Sequence, residues 1–351
     1  MLRSARQKSE LRLFFVIVAC ATVGGAVYGL LIGSSLSERL HWPGIAQGAI
    51  TGAGISAWCA GYDLILAGQR LFRRLRRAPF SIHIAAKTSY YVFGVLINLI
   101  VWAEVFASLH GDEGRNIRST EFLVTFALSL LVAFVVNLLV EINRLLGQNV
   151  LANFVAGRYH RPREEERVFL FVDLIGSTRI AERIGPLRFH ALLNDFFVDL
   201  GEPIQAARGQ IYTYVGDEVI VTWPLAAGVE GARCLTCYFE MLDYLADRKD
   251  AYLRKYGVAP AFRAALHCGL VVVGEMGDQK QEIVMLGDTV NTTARLEEAC
   301  RDLGQPVLMS ADLRQRLDLP PAIDADSLGS IALRGREAPV EVFAPRRTGA
   351  A

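Results

Sequence analysis

The chain has almost no net charge and no cysteine framework. Its 351 residues carry 37 Lys and Arg against 36 Asp and Glu. Bulk charge therefore gives no reason to expect nucleic-acid binding. Six cysteines lack disulfide-framework spacing, and a single C-x-x-C motif, Cys234 and Cys237, lacks the second pair that a zinc site needs. We expect plain buried thiols there, in a reducing compartment.

Long apolar runs are abundant, by contrast, and they concentrate in the first 150 positions of a chain that is 52% hydrophobic. Four runs approach the ~20 residues that cross a bilayer as a helix. They span roughly Leu13–Gly33, Gly44–Leu66, Tyr90–Ser108 and Phe122–Val140. The first run is too long for a simple signal peptide and lacks a cleavage pattern. The sequence therefore predicts four membrane helices in contact with a lipid bilayer.

Positive charge predicts the orientation of these helices. The N-terminus and residues 69–88 are basic, whereas the loops 34–43 and 109–121 are short and poor in Lys and Arg. The second basic stretch holds Arg70, Arg73, Arg74, Arg76, Arg77 and Lys87. Basic loops stay in the cytoplasm. We therefore predict a multi-pass protein of the plasma (inner) membrane with its N-terminus and its C-terminal half in the cytoplasm.

Small residues recur every four positions in the first two predicted helices. Ala21, Gly25, Gly29 and Gly33 form one stripe, and Gly48 and Gly52 form another. Such stripes let helices approach closely. They serve either the packing of one four-helix bundle or a seam between two chains.

Two acidic residues, Asp63 and Glu104, lie within or near the ends of the predicted helices. An ionisable group in a membrane is a candidate for function, here the sensing of an unknown membrane-side ligand. Both can equally sit at the membrane surface, where a charge costs little.

The sequence divides into a transmembrane domain at 1–142, a helical linker at 143–166 and a second domain at 167–351. Helical periodicity continues from Glu141 towards Val155, until Gly157 and Pro162 break it. The linker can carry movement from the membrane to the second domain, or act as a passive tether.

Two aspartates in the second domain follow apolar, strand-like runs. Asp173 ends the run Phe169-Leu170-Phe171-Val172, and Asp217 lies in the tight turn after Tyr214-Val215-Gly216. Each carboxylate is thereby placed where a strand ends. Two carboxylates in such positions can hold divalent metal ions against a triphosphate.

An amide and a guanidinium lie four positions apart on a predicted helix. Asn291 and Arg295 therefore share one face. That face can direct hydrogen bonds and positive charge at a reacting phosphate.

With these three motifs in this order, residues 168–344 resemble the class III nucleotidyl cyclases, which make cyclic AMP or cyclic GMP. The resemblance implies an α+β, ferredoxin-like catalytic domain after the multi-span helical membrane domain. The element order predicted from the sequence, β-α-β-β-α-β with additions, agrees. It includes a helix at Ser177–Asp199, a strand at Ala261–Cys268 and closing strands at Ser330–Arg334 and Val340–Ala344.

The resemblance also implies roles for individual residues. Asp173, Asp217 and the backbone carbonyl of Leu174 would bind two Mg²⁺ or Mn²⁺ ions per active site. Asn291 would orient the ribose and Arg295 would stabilise charge on the α-phosphate. In this family the two sets come from opposite subunits, so a homodimer with two equivalent sites is implied. Arg334 lies where the family often has a phosphate-binding cation.

Base selection departs from the family. Adenylyl cyclases commonly have Lys and Asp or Thr at the positions occupied here by Thr213 and Val284, and guanylyl cyclases usually have Glu and Cys. Neighbours such as Tyr212, Gln281 or Glu282 can substitute for the missing pair. We favour ATP as substrate, with GTP as the alternative.

Two other classes remain as hypotheses. A non-catalytic membrane receptor with a degenerate cyclase domain fits the altered base pocket, although the metal and transition-state residues are intact. A diguanylate cyclase fits the sequence Val215–Val219, but that family has a doubled glycine there and lacks the Asn291 and Arg295 helix.

Overall fold

The computed structural model describes residues 2–36, 42–61, 80–110, 120–146, 157–336 and 338–348. Four long helices come first: α1 (Leu2–Leu36), α2 (Trp42–Gly61), α3 (Phe80–His110) and α4 (Thr120–Leu146). The chain separates into two compact units, one made mainly of Arg3–Ile142 and the other of Asn143–Ala351. Each unit is described below by itself.

In the described part of the chain, two helices are long and apolar enough to cross a bilayer. Their windows are Phe14–Leu31 in α1, with a mean hydropathy of 2.2, and Ala85–Trp102 in α3, with 1.3. A shorter apolar stretch, Leu123–Leu138, lies in α4. None of the window in α1 is buried, and several of its large apolar side chains are exposed, among them Phe15, Val23 and Leu31. The end of the second predicted run, 62–66, lies outside the described residues.

The small-residue stripes of α1 and α2 pack against each other within one chain. A Cβ atom added at Gly25 would overlap the carbonyl oxygen of Gly48, and one added at Gly52 would overlap that of Ala21. A Cβ atom at Gly29 would likewise overlap the carbonyl oxygen of Gly44. Only glycine permits this backbone approach. Of the two interpretations, the structure uses the stripes for packing inside the bundle.

The predicted basic loop at 69–88 is wrong at its C-terminal end. Helix α3 already begins at Phe80, and Lys87 lies inside it with an exposed fraction of 1%. The Lys87 Nζ lies 5.8 Å from the centroid of the Tyr91 ring, where a cation–π contact accommodates the charge within the helix. Glu104 is exposed on the same helix, past the apolar window. Asp63 and the five arginines of the loop lie outside the described residues.

The second unit is built on one eight-stranded mixed sheet. The strands are β1 (Arg163–Leu174), β2 (Gln210–Val215), β3 (Glu218–Pro224), β4 (Phe262–Met276), β5 (Glu282–Leu286), β6 (Val307–Ser310), β7 (Ile323–Ile331) and β8 (Val340–Arg347). The helices are α5 (Ser177–Ile184), α6 (Pro186–Ala206), α7 (Leu225–Val229), α8 (Arg233–Tyr256), α9 (Asp288–Asp302) and α10 (Ala311–Arg314). A 3₁₀ turn at Glu230–Ala232 joins α7 to α8.

The predicted ferredoxin-like core is confirmed. Strands run in the order β2-β3-β1-β4, and every neighbouring pair among these four is antiparallel. Strand β6 pairs with β4 in parallel, and β8 and β7 follow it in the sheet. Strand β5 pairs with the C-terminal part of β4, residues 272–276.

Several predicted boundaries differ from the structure. The helix expected at Ser177–Asp199 is two helices, because Gly185 ends α5 and Pro186 begins α6. Strand β4 continues to Met276, well past the predicted end at Cys268. The strand expected at Ser330–Arg334 overlaps only the last two residues of β7, which runs from Ile323 to Ile331.

Alternation along β1 sends its side chains to two separate cores. Val168, Leu170 and Val172 face α6 and α8 in the larger core. Phe169 and Phe171 face the opposite side, where α9 lies. We call the apolar group on that side the α9-face cluster; its buried members are Tyr159, Phe169, Phe171, Ile220, Val271 and Val273.

Candidate active site

Strand ends bring the two predicted metal-binding aspartates together. Asp173 is the penultimate residue of β1 and shares the sheet face of the α9-face cluster. Asp217 lies in the turn between β2 and β3, where Gly216 adopts a φ of 63° that favours glycine. Burial raises the pKa of Asp173 and the charge of Asp217 raises it further, so the two carboxylates interact electrostatically. Leu174, the predicted backbone ligand, ends β1 directly beside Asp173.

Asp173 stands in a row of charged residues across three strands. In the ladders it is opposite Glu218 of β3 on one side and Arg263 of β4 on the other. The Arg263 Nη2 group donates to Asp173 Oδ2 over 2.9 Å, and Nε donates to Glu297 Oε1 over 2.6 Å. Glu297 comes from α9. One guanidinium thus joins the first aspartate to the helix that carries Asn291 and Arg295.

Burial dominates the electrostatics of this row. It raises the pKa of Asp173, the hydrogen bond from Arg263 opposes the rise, and the charge of Asp217 adds to it. Burial also raises the pKa of Glu218 to about 7, reinforced by Glu297, Asp173 and Asp217. A negative field therefore faces the end of β1.

The donor set fits divalent cations whose coordination is completed by a substrate. In the described part of the chain, no three acidic, His or Cys side chains group as ligands of one ion. Asp173 and Asp217 nevertheless give a close pair of hard oxygen donors, as Mg²⁺ and Mn²⁺ prefer. Because Mg²⁺ is commonly held by one or two carboxylates plus substrate phosphates, the pair is sufficient.

Asn291 and Arg295 lie on α9, one turn apart. Asn291 is exposed and Arg295 is half-buried. A Cβ atom at Gly335, in the turn before β8, would lie 3.4 Å from Arg295 Nη2. Residue 295 is rotated by roughly 200° around the helix from residue 297, which faces Arg263 and Asp173. The arginine therefore points away from the aspartates of its own chain.

The turn between β7 and β8 supplies further positive charge beside α9. Arg334, the predicted phosphate cation, is exposed there and precedes Gly335, the residue that contacts Arg295. Arg336 Nη2 lies 3.1 Å from Asp288 Oδ2 at the start of α9. Arg334 thus lies next in sequence to the glycine that faces Arg295.

The two base-selecting positions lie on strands that one side chain connects. Thr213 follows a bulge in β2, and Val284 is opposite Gly274 in the β4–β5 ladder. The hydroxyl of Tyr212 accepts the backbone N–H of Met285 over 3.0 Å. Of the neighbours named as substitutes, Tyr212 is therefore built into this region. Gln281 and Glu282 are exposed, and Glu282 pairs with Lys280.

Sequence reasoning missed the residues that support the aspartates. Arg263 and Glu297 become recognisable only once strand register and helix rotation are known, because nothing in their local sequence marks them. Cys234 and Cys237 are buried free thiols on α8, as expected.

Comparison with known proteins identifies this unit. Residues 160–344, more than half of the chain, match the family described as adenylate and guanylate cyclase catalytic domain. Adenylate cyclase 2 of Rhizobium meliloti (strain 1021) is 37% identical over 272 residues, covering 76% of this chain and 74% of that protein. Receptor-type guanylate cyclase gcy-13 of Caenorhabditis elegans is 28% identical over 200 residues, covering 55% of this chain and 19% of that protein.

A solved bacterial light-regulated adenylyl cyclase shares the fold, with a TM-score of 0.53 at 18% identity over 66% of this chain and 67% of that chain. The sequence resemblance, the sheet order and these matches agree. The chain belongs to the class III adenylyl and guanylyl cyclases and is an enzyme of the adenylate cyclase type.

Proposed function

We propose that the protein is a membrane-anchored adenylate cyclase that converts ATP to 3′,5′-cyclic AMP and pyrophosphate at sites shared by two chains. The observation that carries the proposal is the arrangement on α9. Asp173 and Asp217 meet at one end of the sheet, while Arg295 points away from them in the same chain. The residues of one reaction centre are therefore divided between two surfaces.

Asp173, Asp217 and the Leu174 carbonyl would hold two Mg²⁺ or Mn²⁺ ions, which acidify the ribose 3′-hydroxyl and neutralise the triphosphate. In the reaction the 3′-oxygen attacks the α-phosphorus, the hydroxyl proton leaves, and the bond to the β-phosphate oxygen breaks. The barrier consists mostly of alignment and charge.

The chain's own residues address both parts of that barrier. Arg263 holds Oδ2 of Asp173 and so fixes the carboxylate in one orientation. Arg295 would stabilise the charge that develops on the α-phosphate, and the exposed Asn291 would orient the ribose. Arg334, exposed in the turn before β8, would add positive charge for the leaving phosphates.

A homodimer gives each site its missing half. Two chains arranged head to tail place Asn291 and Arg295 of one against Asp173 and Asp217 of the other, and a two-fold axis makes two equal sites. Arg295 then faces a partner instead of its own aspartates.

For the base we propose adenine. Thr213 offers one hydrogen-bonding hydroxyl, and Val284 contributes only shape. The 37% identical relative over three quarters of the chain is named an adenylate cyclase, which favours ATP over GTP.

For the membrane half we propose four helices that anchor the protein in the plasma (inner) membrane. The N-terminus and the catalytic domain would both lie in the cytoplasm. The outward apolar faces of α1, α3 and α4 support this. Residues 143–166 would connect the two parts, and Glu104 remains a candidate for contact with a membrane-side ligand.

The deciding experiment is turnover by the purified chain with Mn²⁺, offering ATP and GTP separately and identifying each product. Cyclic AMP from ATP alone is expected. Cyclic GMP from GTP would establish the guanylyl cyclase instead. No product from a folded dimer would favour the non-catalytic receptor.

A further inference from the structure

The lead-in segment, residues 157–162, connects to the catalytic sheet at a specific place. It turns back at Gly157, whose carbonyl accepts the N–H of His160 over 3.4 Å, and then feeds into β1. The carbonyl of Tyr159 accepts the N–H of Glu275 over 3.1 Å. His160 Nδ1 also lies 3.4 Å from Glu275 Oε2. The segment is thereby attached to the C-terminal part of β4.

Pro162 extends this attachment by one residue along β4. A Cβ atom at Gly274 would come within 3.1–3.3 Å of three carbon atoms of Pro162, so only a glycine lets the proline ring sit on the strand without displacement. In the β4–β5 ladder, Gly274 is opposite Val284 and Glu275 is opposite Ile283. The segment therefore holds β4 at the two positions opposite Ile283 and Val284 of β5, and Val284 is one of the two predicted base-selecting residues.

Tyr159 fixes the segment from the other side. Its exposed fraction is 6%, and its hydroxyl donates to Glu165 Oε1 over 3.2 Å. Its ring belongs to the α9-face cluster, against which Ile283 and Met285 pack. These two residues flank Val284. Two residues of α9, Val290 and Ala294, close the same cluster.

Strand β5 has little other support. It is five residues long and pairs along one edge with β4. On its other edge, the hydroxyl of Tyr212 accepts the Met285 N–H. A short strand held in this way takes its position from what holds β4 and from the apolar cluster beneath it. Both of these include the lead-in segment.

We propose that the lead-in segment, through Tyr159 and Pro162, is a positioning element for the base-binding strand β5 and sets the affinity of the site for its nucleotide. Tyr159 lies one residue before the region that matches the cyclase family, so it belongs to the junction with the preceding part of the chain. A displacement of the segment would move Val284 before it moved Asp173 or Asp217. The expected signature is a change in KM with little change in kcat. This inference rests on the proposed function.

The test compares Tyr159→Leu with Tyr256→Leu in the full chain, purified in detergent. The two tyrosines are matched: Tyr256 is 5% exposed, and its hydroxyl donates to Asp195 Oδ2 over 2.8 Å. Tyr256, however, packs in the larger core on the opposite face of the sheet. Both variants should lose similar thermal stability through lost packing.

Two measurements separate the variants. Tyr159→Leu should raise KM for ATP by about five- to tenfold while kcat stays within about twofold, and Tyr256→Leu should leave KM unchanged. Hydrogen exchange of the β5 amides, 282–286, should accelerate in Tyr159→Leu and not in Tyr256→Leu. Gly274→Ala, which pushes on Pro162 from the strand side, should change KM in the same direction as Tyr159→Leu.

Equal KM and equal β5 exchange in the two leucine variants would overturn the proposal, as would a loss confined to kcat. The exchange measurement requires no turnover. If the wild-type chain formed no cyclic nucleotide, the proposed function would fail, while the exchange comparison would still decide whether the segment positions β5.

Discussion

At Arg263 one guanidinium holds two carboxylates from different elements, Asp173 on β1 and Glu297 on α9. The exposed fractions of these three side chains are 18%, 18% and 11%. Without the guanidinium, both carboxylates would stay partly buried and lose this positively charged partner. The Asp173 side chain would also be free to rotate. Such losses are far more costly than those of exposed pairs.

We expect Arg263→Met to lower kcat/KM by about tenfold or more and the stability by roughly 1–3 kcal/mol. Arg263→Lys, which keeps one charge but not the fork, should fall between that variant and wild type. Assays and thermal melts would check both. Arg316→Met is the control, because Arg316 forms an exposed ion pair with Glu166. The distance from its Nη1 atom to Glu166 Oε1 is 3.0 Å. Equal effects at the two arginines would contradict the role given to Arg263.

The buried His267 should make the stability of the folded protein fall in acid. Its Nδ1 lies 2.7 Å from Ser310 Oγ, and burial lowers its pKa to about 4, with Asp312 opposing and Arg336 assisting. The unfolded chain takes up this proton near the ordinary value of about 6.5, before the folded chain does. His267 therefore contributes stability that is present above about pH 6.5 and is lost as the pH falls towards 4, up to about 3 kcal/mol.

Melting temperatures at pH 8 and pH 5 would check this response. The melting temperature of the wild type should drop further between the two than that of His267→Asn, which has no imidazole to protonate. An identical drop in both proteins would show that His267 does not titrate in this way.

How far the sequence predicts the site depends on the kind of residue. Asp173, Asp217, Asn291 and Arg295 lie in local motifs whose strand or helix context is readable from a few neighbours. Arg263 does not, because its function follows from being opposite Asp173 in a ladder. A register joins two distant segments, so the residues around Arg263 alone do not reveal which residue it is opposite.

Among the elements, α1 and α2 approach each other closely along their backbones. Gly25 faces the carbonyl of Gly48, while its neighbour Gly24 has open space around the position of a Cβ atom. Gly24 and Gly25 are thus the same residue type in the same helix, and they differ in the surroundings of their Cα atoms. This contrast supplies a matched pair for substitution.

We expect Gly25→Leu to force the helices apart and destabilise the protein by about 2 kcal/mol or more. Gly24→Leu should be neutral, since leucine favours the helix and meets nothing. Thermal unfolding in detergent would measure both. Equal destabilisation by the two substitutions would indicate that the stripe does not pack as described.

The sequence predicts some elements better than others, because some are marked by local patterns and others depend on a distant partner strand. The core strands β1, β2 and β3 were recognisable from their apolar runs. Strands β5 and β6 were not, because they are short and depend on β4 for their pairing. The single helix predicted at Ser177–Asp199 is wrong, because Gly185 and Pro186 are local signals for a break between α5 and α6.

At the scale of the whole molecule, the rotation of Arg295 away from its own Asp173 predicts complementation between chains. Asp173→Ala and Arg295→Ala should each be inactive or nearly so. Mixed in equal amounts, half of the dimers would carry one intact site, restoring about a quarter of wild-type turnover. Co-expression with two different tags and purification through both would isolate these mixed dimers. Absence of recovery in them would contradict the shared site.

The close contact of α1 and α2 has a genetic consequence. In the proposed homodimer, a fault at Asp173 disables one site and leaves the chain able to lend Arg295 to its partner. A fault at Gly25 is different, because that glycine serves the folding of its own chain and no partner can replace it. An allele defective at Asp173 and an allele defective at Arg295 can therefore rescue each other in one cell, whereas an allele that blocks the helix crossing behaves as a loss of the chain itself.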